Sequence, residues 1–223
     1  MKKPSRIYCV AHLKGGSGKT ATAINMAVML GELGRKVIFV DADVKGAHGT
    51  RLLKRRAEQK RDEQPEILFT QLRSKKHLLE IIVQAEAGGF DVIIDTNPTV
   101  TDIFVSALTV AHVGIHPIRQ GHTELDSLPN FIELLDLIRP VRRDAGLGKL
   151  KSRTLVTDYT PSKQGRLIRE SLEAMNEMVY LGEIPHSEKF GEALLVGQAV
   201  WEITKHHRHS AQIREVILGC IER

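Results

Sequence analysis

The feature that most constrains this chain is a glycine-rich stretch near the start, Lys14-Gly15-Gly16-Ser17-Gly18-Lys19-Thr20. It lies between an apolar run at residues 7–10, which predicts a buried strand, and residues 21–33, which predict a helix. A glycine-rich turn in this setting directs backbone N–H groups and the positive end of a helix dipole into one small space. The sequence therefore predicts a phosphate site, with Lys19 for the β- and γ-phosphates of a nucleotide and the Thr20 hydroxyl for Mg²⁺.

Two later apolar runs end in aspartates. Residues 37–40 lead into Asp41-Ala42-Asp43, and residues 90–94 lead into Asp95. Because parallel strands meet ligands at their carboxyl ends, we expect these acids to lie beside the phosphate loop. Carboxylates there hold Mg²⁺, directly or through water, and position an attacking water molecule. The alternative is that Asp41 and Asp43 only cap a turn.

The alternation of apolar strands with helical segments predicts an α/β fold, a doubly wound and mostly parallel sheet with helices on both faces. Further strands are predicted at 67–69, 113–118 and 154–157, further helices at 48–62, 75–87, 124–138, from Pro161 and at 210–221, and a loop at 140–148. With 223 residues and no visible repeat, a single domain over residues 1–223 is expected.

Composition narrows the class of partner. The net charge of +5 and the pI of about 9.2 favour an anionic partner beyond the nucleotide, either nucleic acid or an anionic membrane surface. Aromatic residues make up only 4% of the chain, which argues against a base-stacking platform for single strands. Cys9 and Cys220 have no metal-type spacing. Since neither a signal peptide nor a membrane-spanning run is visible, a cytoplasmic protein is expected.

The phosphate loop departs from the ordinary pattern, because Leu13 stands where that pattern has glycine and Lys14 follows it. Lys-Gly-Gly-x-Gly-Lys-Thr resembles the deviant Walker A loop of the family that includes ParA partition ATPases and MinD site-selection ATPases. Residues 41–46 resemble the family's Asp-x-Asp-Pro-Gln-Gly, with Val-Lys in place of Pro-Gln. Residues 95–98 resemble its Walker B element, and residues 182–197 its Ile-Pro and Glu-Ala stretch. The chain is thereby identified as a P-loop NTPase of the deviant Walker A branch.

The resemblance implies a role for each site residue. Lys14 would reach across a dimer interface to the phosphates bound by the other subunit. Asp43 would orient or activate the hydrolytic water, and Asp41 would support the metal and water shell. Asp95 would hold Mg²⁺ as the Walker B carboxylate, and Pro185 would lie near the adenine ring. The expected cofactors are ATP and Mg²⁺, and no Asn-Lys-x-Asp motif for reading guanine occurs in the sequence.

These predictions define three sets of residues. The catalytic set is Lys14, Lys19, Asp41 and Asp43; the nucleotide-binding set is Lys14, Gly15, Gly16, Ser17, Gly18, Lys19, Thr20, Ala21 and Pro185; and the metal set is Thr20, Asp41 and Asp95.

In function, the resemblance implies a partition ATPase that dimerises on ATP, binds duplex DNA of any sequence and releases it on hydrolysis. The implied partner is a site-specific DNA-binding protein that stimulates hydrolysis, and the implied cargo is a plasmid or similar mobile element. No helix-turn-helix precedes the loop, so the chain resembles the small ParA subclass. If the protein binds DNA, association with the nucleoid is expected.

The predicted DNA contacts are basic residues in segments that match those the family uses. They are Arg166, Arg169, Lys205, Arg208 and Arg214. A third basic group lies at residues 51–61. Such contacts would release counterions without reading sequence. The alternative for each group is a solvated charged face.

Other functions remain as alternatives. A MinD-like or other cargo-positioning ATPase could act at a membrane or protein scaffold, because residues 213–221 carry an apolar helical face. Packing of that face on the core is favoured, since its polar side is mixed rather than lysine-rich. A ligase or kinase relative such as dethiobiotin synthetase lacks support, because Lys14 and the Ile-Pro and Glu-Ala stretch point to the ATPases. Nitrogenase iron protein is excluded by the absence of paired cluster cysteines.

Overall fold

The computed structural model describes residues 4–44, 46–59, 63–121, 125–203 and 209–221. The strands are β1 Ile7–Val10, β2 Lys36–Asp41, β3 Leu68–Gln71, β4 Phe90–Asp95, β5 Val113–Arg119, β6 Lys151–Tyr159 and β7 Val179–Pro185. They form one sheet in the order β3-β2-β4-β1-β5-β6-β7, and every pairing in it is parallel. This sheet confirms the predicted α/β fold.

Helices cover both faces of the sheet. They are α1 Lys19–Glu32, α2 His48–Glu58, α3 Lys75–Gly88, α4 Asp102–Val110, α5 Leu128–Asp144, α6 Lys163–Glu173, α7 Glu188–Leu195, α8 Val200–Ile203 and α9 Ser210–Ile221, with a 3₁₀ turn at Leu125–Ser127 before α5. Successive side chains of a strand point to opposite faces. Tyr8 and Val10 accordingly pack with α1, α2 and α7–α9, whereas Ile7 and Cys9 pack with α3–α5. A third cluster joins α5 to α6 beside β6.

Side-chain caps fix where three helices begin. The hydroxyls of Ser74, Thr101 and Ser162 accept hydrogen bonds from backbone N–H groups three residues on, in α3, α4 and α6. The cap at Ser162 starts α6 at Lys163, slightly later than the helix predicted from Pro161. Helices α4, α7 and α8 and strand β7 were not predicted from the sequence.

Helix α5 differs most from its prediction. It runs through Pro140 to Asp144, where a loop was predicted from residue 140. Arg142 near its end is buried and donates to the carbonyl oxygens of Leu108 and Ala111 at the end of α4. These bonds hold the last turn of α5 against α4, and they offset the backbone hydrogen bond that a proline removes.

The apolar face of α9 packs inside the protein. Its members Ile213, Val216, Ile217, Cys220 and Ile221 are all buried in the cluster that contains α1. This packing confirms the favoured interpretation of the segment over a membrane-surface helix. Across the described ranges, no helix combines the length and the apolar character that crossing a bilayer needs.

Candidate functional site

The sheet register brings the predicted phosphate loop and two of the predicted acids to one edge. At the carboxyl ends of the strands, Val10 of β1 is paired with Asp95 of β4, and Asp95 is paired with Asp41 of β2. The loop leaves β1 at this point and leads into α1, which begins at Lys19. A loop with a helix N-terminus and two carboxylates therefore share one edge of the sheet.

The loop needs glycine at position 18. Gly18 has a left-handed φ of 89°, and a Cβ there would lie 2.9 Å from Thr157 Cγ2. The Thr157 hydroxyl donates to the Ser17 carbonyl oxygen at 3.0 Å. The end of β6 thus braces the loop, a contact across 140 residues that the sequence did not predict.

The Lys19 side chain turns back over the loop. Its Nζ donates to the Lys14 carbonyl oxygen at 2.8 Å, and the residue is only 7% exposed. An ammonium group so placed would exchange a neutral carbonyl for phosphate oxygens, which form stronger, charge-assisted hydrogen bonds. The position of Lys19 therefore suits the predicted nucleotide-binding role.

Asp95 is the most perturbed acid of this edge. Burial raises its pKa to about 7, the charges of Asp41 and Asp43 add to the rise, and a hydrogen bond from Thr20 and the charge of Lys19 oppose it. Its Oδ1 has no hydrogen-bond partner within the described residues. A buried carboxylate in this condition is unfavourable unless a cation or donor is supplied.

Asp95 and Thr20 fit the predicted Mg²⁺ site. Carboxylate and hydroxyl oxygens are the hard ligands that Mg²⁺ takes, and Mg²⁺ usually keeps water and phosphate oxygens in its remaining positions. Among the residues described, no three His, Cys, Asp or Glu side chains cluster into a metal site of their own.

Asp41 is engaged by the chain itself. One carboxylate oxygen accepts from the N–H of Asp43 at 3.1 Å, and the other accepts from the N–H of Thr50 at 2.8 Å. These bonds tie the end of β2 to the first turn of α2, as the turn-capping alternative expects. The metal role of Asp41 stays a prediction, and its visible contacts position the Asp43 segment.

Asp43 lies half-buried in a tight turn after β2. Its Oδ1 accepts from the N–H of Gly46 at 3.1 Å, and its carbonyl oxygen accepts from the N–H of Ala47 at 2.8 Å. A Cβ at Gly46 would collide with the Asp43 carboxylate, which would have to turn away from its present position, so a glycine here favours the observed placement of Asp43. The match to the family's glycine at this position therefore has a physical reason.

The ends of β5, β6 and β7 carry a polar network that sequence reasoning missed. Asp158 has a left-handed φ of 58°, and its carboxylate accepts two hydrogen bonds from Arg119 and contacts His186 Nδ1. Burial alone would raise the pKa of Asp158, but hydrogen bonds and charges from His186 and Arg119 outweigh burial and lower it. Pro185, predicted to lie near adenine, is buried next to His186. The available signal was a charged residue directly after each of two predicted strands, Arg119 after 113–118 and Asp158 after 154–157.

The predicted DNA-binding residues have unequal surroundings. Arg166 is exposed on α6. Arg169 lies 3.7 Å from Glu183 and 3.9 Å from Glu173 in ion pairs. Arg214 pairs with Glu32 at 2.8 Å and stacks on the Trp201 ring. Lys205 and Arg208 lie outside the described residues.

The third basic group is only partly a surface. Arg51, Lys54 and Arg55 of α2 are exposed. Arg56, in contrast, is buried in an ion pair with Glu202 at 2.7 Å. Residues 60–62 of this group lie outside the described ranges.

Comparisons with known proteins identify the family of this chain. The family model described as the CobQ/CobB/MinD/ParA nucleotide binding domain matches residues 8–200. The chain is 28% identical over 228 residues to the chromosome-partitioning ATPase Soj of Thermus thermophilus, with 87% of each chain covered. It is 34% identical over 90 residues to the chromosome partitioning protein ParA of Caulobacter vibrioides, a match over 40% of this chain that spans only about a third, 32%, of that relative.

The fold is shared with a solved structure of this kind. MinD from Pyrococcus horikoshii OT3, solved in complex with Mg-ADP, superposes with a TM-score of 0.73 at 18% identity. The match covers 96% of this chain and 94% of that one. At this level of identity the likeness shows the fold.

Proposed function

Since this chain belongs to the CobQ/CobB/MinD/ParA family of nucleotide-binding domains, we propose that it is a Mg²⁺- and ATP-dependent partition ATPase that dimerises on ATP and binds duplex DNA. The observation that carries the proposal is a two-lysine phosphate loop beside the buried Asp95 carboxylate at one sheet edge, where Asp95 Oδ1 has no hydrogen-bond partner among the described residues. The loop amides and Lys19 would bind the phosphates. Bound Mg²⁺ would neutralise phosphate charge in the reaction.

Asp41, the last residue of β2, and Asp43, two residues later, have different proposed roles. Asp43 would position or activate the attacking water, because it lies in the turn beside the loop and has one oxygen engaged by Gly46. Asp41 would hold that turn in place through its bonds to Asp43 and Thr50. Thr50 belongs to α2, so the Asp41 carboxylate joins the turn that carries Asp43 to this helix.

Lys14 would complete the site of a second copy across the dimer interface. Two weak basic surfaces would then act as one bivalent surface, which couples nucleotide state to DNA affinity. A site-specific DNA-binding protein that stimulates hydrolysis is the proposed partner, and plasmid or similar DNA is the proposed cargo. In cells, such a protein would associate with the nucleoid.

Arg166 is the strongest of the proposed DNA contacts in the described chain. Arg169 and Arg214 would first have to leave their glutamate partners, and that competition weakens their contribution. The exposed residues of α2, Arg51, Lys54 and Arg55, form a second candidate surface. Both surfaces would contact phosphates without reading bases.

The test uses Asp43→Ala, which is expected to bind ATP and dimerise but to hydrolyse poorly. Light scattering with Mg²⁺ and ATP should show twice the monomer mass of 24.9 kDa, and Lys14→Ala in the same background should stay monomeric. The dimer should retard random duplex DNA, and this binding should weaken steeply as salt rises. A protein that binds ATP yet remains a monomer would contradict the proposal.

Charge reversals locate the DNA surface. Arg166→Glu should weaken binding to all sequences alike and flatten the salt dependence by about one contact. Arg139→Glu on α5, where Arg139 pairs with Asp136, is the matched control and should change little. If Arg51→Glu with Lys54→Glu weakens binding instead, the surface is α2. An ATP dimer without DNA binding in any state would transfer the function to a protein or membrane scaffold.

A further inference from the structure

We propose that His12 is a positioning residue for Lys14, holding the main chain of the phosphate loop so that the Lys14 side chain is aimed across the dimer interface. This inference rests on the proposed role of Lys14 in ATP-dependent dimerisation. His12 stands two residues after β1 and is fully buried.

The contact that supports this role is a hydrogen bond to the loop backbone. Lys14 N–H donates to His12 Nδ1 at 3.3 Å. Since Nδ1 accepts, the imidazole is neutral and carries its proton on Nε2. Burial, together with the charges of Lys19 and Lys14, lowers the pKa of His12 to about 4, so the acceptor persists at neutral pH.

A second histidine fixes the same segment from its other end. His116 of β5 is fully buried, and its Nδ1 lies 2.9 Å from the carbonyl oxygen of Ala11. Burial lowers the pKa of His116 to about 3, and a neutral ring whose Nδ1 faces a carbonyl donates from that atom. Phe131 of α5 contacts both imidazoles, with ring centroids 5.6 Å from His12 and 4.6 Å from His116. The two histidines thus bracket the chain where β1 becomes the loop.

The second ring nitrogen, Nε2, gives no reason for a histidine at either position. The Nε2 atoms of His12 and His116 are buried and have no hydrogen-bond partner within the described residues. A buried polar atom in this condition is destabilising, and an apolar side chain of similar size would avoid the loss. Within the described chain, the bond to Lys14 is therefore the interaction of His12 that a leucine at position 12 could not replace.

The arrangement matters most when nucleotide arrives. Lys14 is held twice, at its N–H by His12 and at its carbonyl oxygen by Lys19. Under the proposed function, Lys19 turns to the phosphates and releases that carbonyl. The bond from the Lys14 N–H to His12 does not depend on Lys19, so it still holds the Lys14 peptide at the step when Lys14 must meet the second subunit.

The chain offers a matched control at the opposite end of the same strand. The N–H of Ile7, at the start of β1, donates to His112 Nδ1 at 3.0 Å. The bond is of the same type, but it lies at the amino edge of the sheet, away from the loop. His112→Ala should therefore lower thermal stability and leave ATP-dependent dimerisation unchanged.

The experiment measures nucleotide affinity and dimerisation separately. His12→Ala should bind a fluorescent ATP analogue with Mg²⁺ within about threefold of the unmodified protein, because no phosphate contact is removed. Its ATP-dependent dimer should be weaker by about thirtyfold, since each dimer loses two positioning bonds. His12→Asn should restore most of the loss, because an asparagine oxygen can accept from an N–H two residues on.

Three results would overturn the inference. They are normal dimerisation of His12→Ala, equal loss in His12→Ala and His12→Asn, and an equal loss in His112→Ala. If His12→Ala does not fold, His12→Leu, which fills the space without an acceptor, replaces it in the comparison with His12→Asn. Failure of the proposed function is distinguishable, because Lys14→Ala would then dimerise normally with ATP.

Discussion

Two aspartates at opposite ends of β4 have the same burial and opposite surroundings. Asp91, near the amino end, is 1% exposed, and Asp95, at the carboxyl end, is 2% exposed. Asp91 accepts from the Arg6 backbone N–H at 2.8 Å and from the Arg35 guanidinium at 2.6 and 2.7 Å. Asp95 has an oxygen without a partner among the described residues, and burial raises its pKa to about 7.

Asp91 stabilises the fold, whereas Asp95 is the acid proposed to bind the cation of a ligand. The chain supplies every donor that Asp91 needs, and the bonds join β1, β4 and the turn before β2. At Asp95 the chain supplies burial and too few donors, which is the condition a metal-bound nucleotide would relieve. The chain's own donors satisfy Asp91 at the amino edge of the sheet, whereas an added cation would satisfy Asp95 at the carboxyl edge.

The largest expected effect is on nucleotide binding. Lys19→Ala should weaken ATP binding by about a thousandfold, because a buried ammonium that forms charge-assisted bonds to phosphate is lost. Lys36→Ala, at the amino edge where Lys36 lies over the Phe90 ring, should bind ATP normally. Titration calorimetry with Mg²⁺ and ATP measures both. Unchanged affinity in Lys19→Ala would contradict the phosphate-loop assignment.

The next largest effect is a loss of stability, and we expect it from substitution of Asp91. Asp91→Asn should lower the free energy of unfolding by about 3 kcal/mol, because it leaves the mostly buried Arg35 guanidinium without its charge partner. Asp95→Asn should leave stability at pH 7 unchanged or higher. Urea unfolding without nucleotide compares the two. A larger loss in Asp95→Asn would show that the two acids have been assigned the wrong roles.

A smaller effect is the pH dependence of the Asp95 contribution. The folded-state pKa of about 7 exceeds the ordinary value of 3.8, so the carboxyl binds its proton more tightly when folded. Its stabilising contribution is therefore full below about pH 4 and is lost as pH rises through about 7.

Asparagine lacks this titration. The stability of Asp95→Asn minus that of the unmodified protein should thus increase by about 2 kcal/mol between pH 5 and pH 6.5. His12 and His116, whose pKa values are lowered, act in the opposite direction and cancel in the difference. Denaturant titrations at several pH values measure it, and a flat difference would contradict the raised pKa of Asp95.

The sequence predicted what short-range pattern determines. Apolar runs predicted six of the seven strands, β1 to β6, and the glycine-rich turn with its acids indicated the ligand edge. Strand β7 was not predicted because Gly182, which has a φ of 120°, interrupts its apolar pattern. Only its last two residues are fully buried. Helix α5 was ended too early because Pro140 outweighed contacts made by Arg142 to another helix.

Long-range pairing explains what the sequence could not predict at the site. The bond from Thr157 to the loop joins segments that no local pattern relates, and the same is true of His12, His116 and Phe131. Arg169 and Arg214 are basic residues of the kind that contact DNA phosphates. In the fold, each pairs with a glutamate from another element, Arg169 with Glu183 and Arg214 with Glu32. Charge in a sequence does not show which charges a fold neutralises.

The most direct test is the part of ATP stabilisation that depends on Mg²⁺, measured as the rise in Tm with ATP and Mg²⁺ minus the rise with ATP and EDTA. The unmodified protein and Asp91→Asn should show the same increment, the latter from a lower starting Tm. Asp95→Asn should lose most of it, because the carboxylate proposed to hold Mg²⁺ is gone. A full increment in Asp95→Asn, or its loss in Asp91→Asn, would contradict the account.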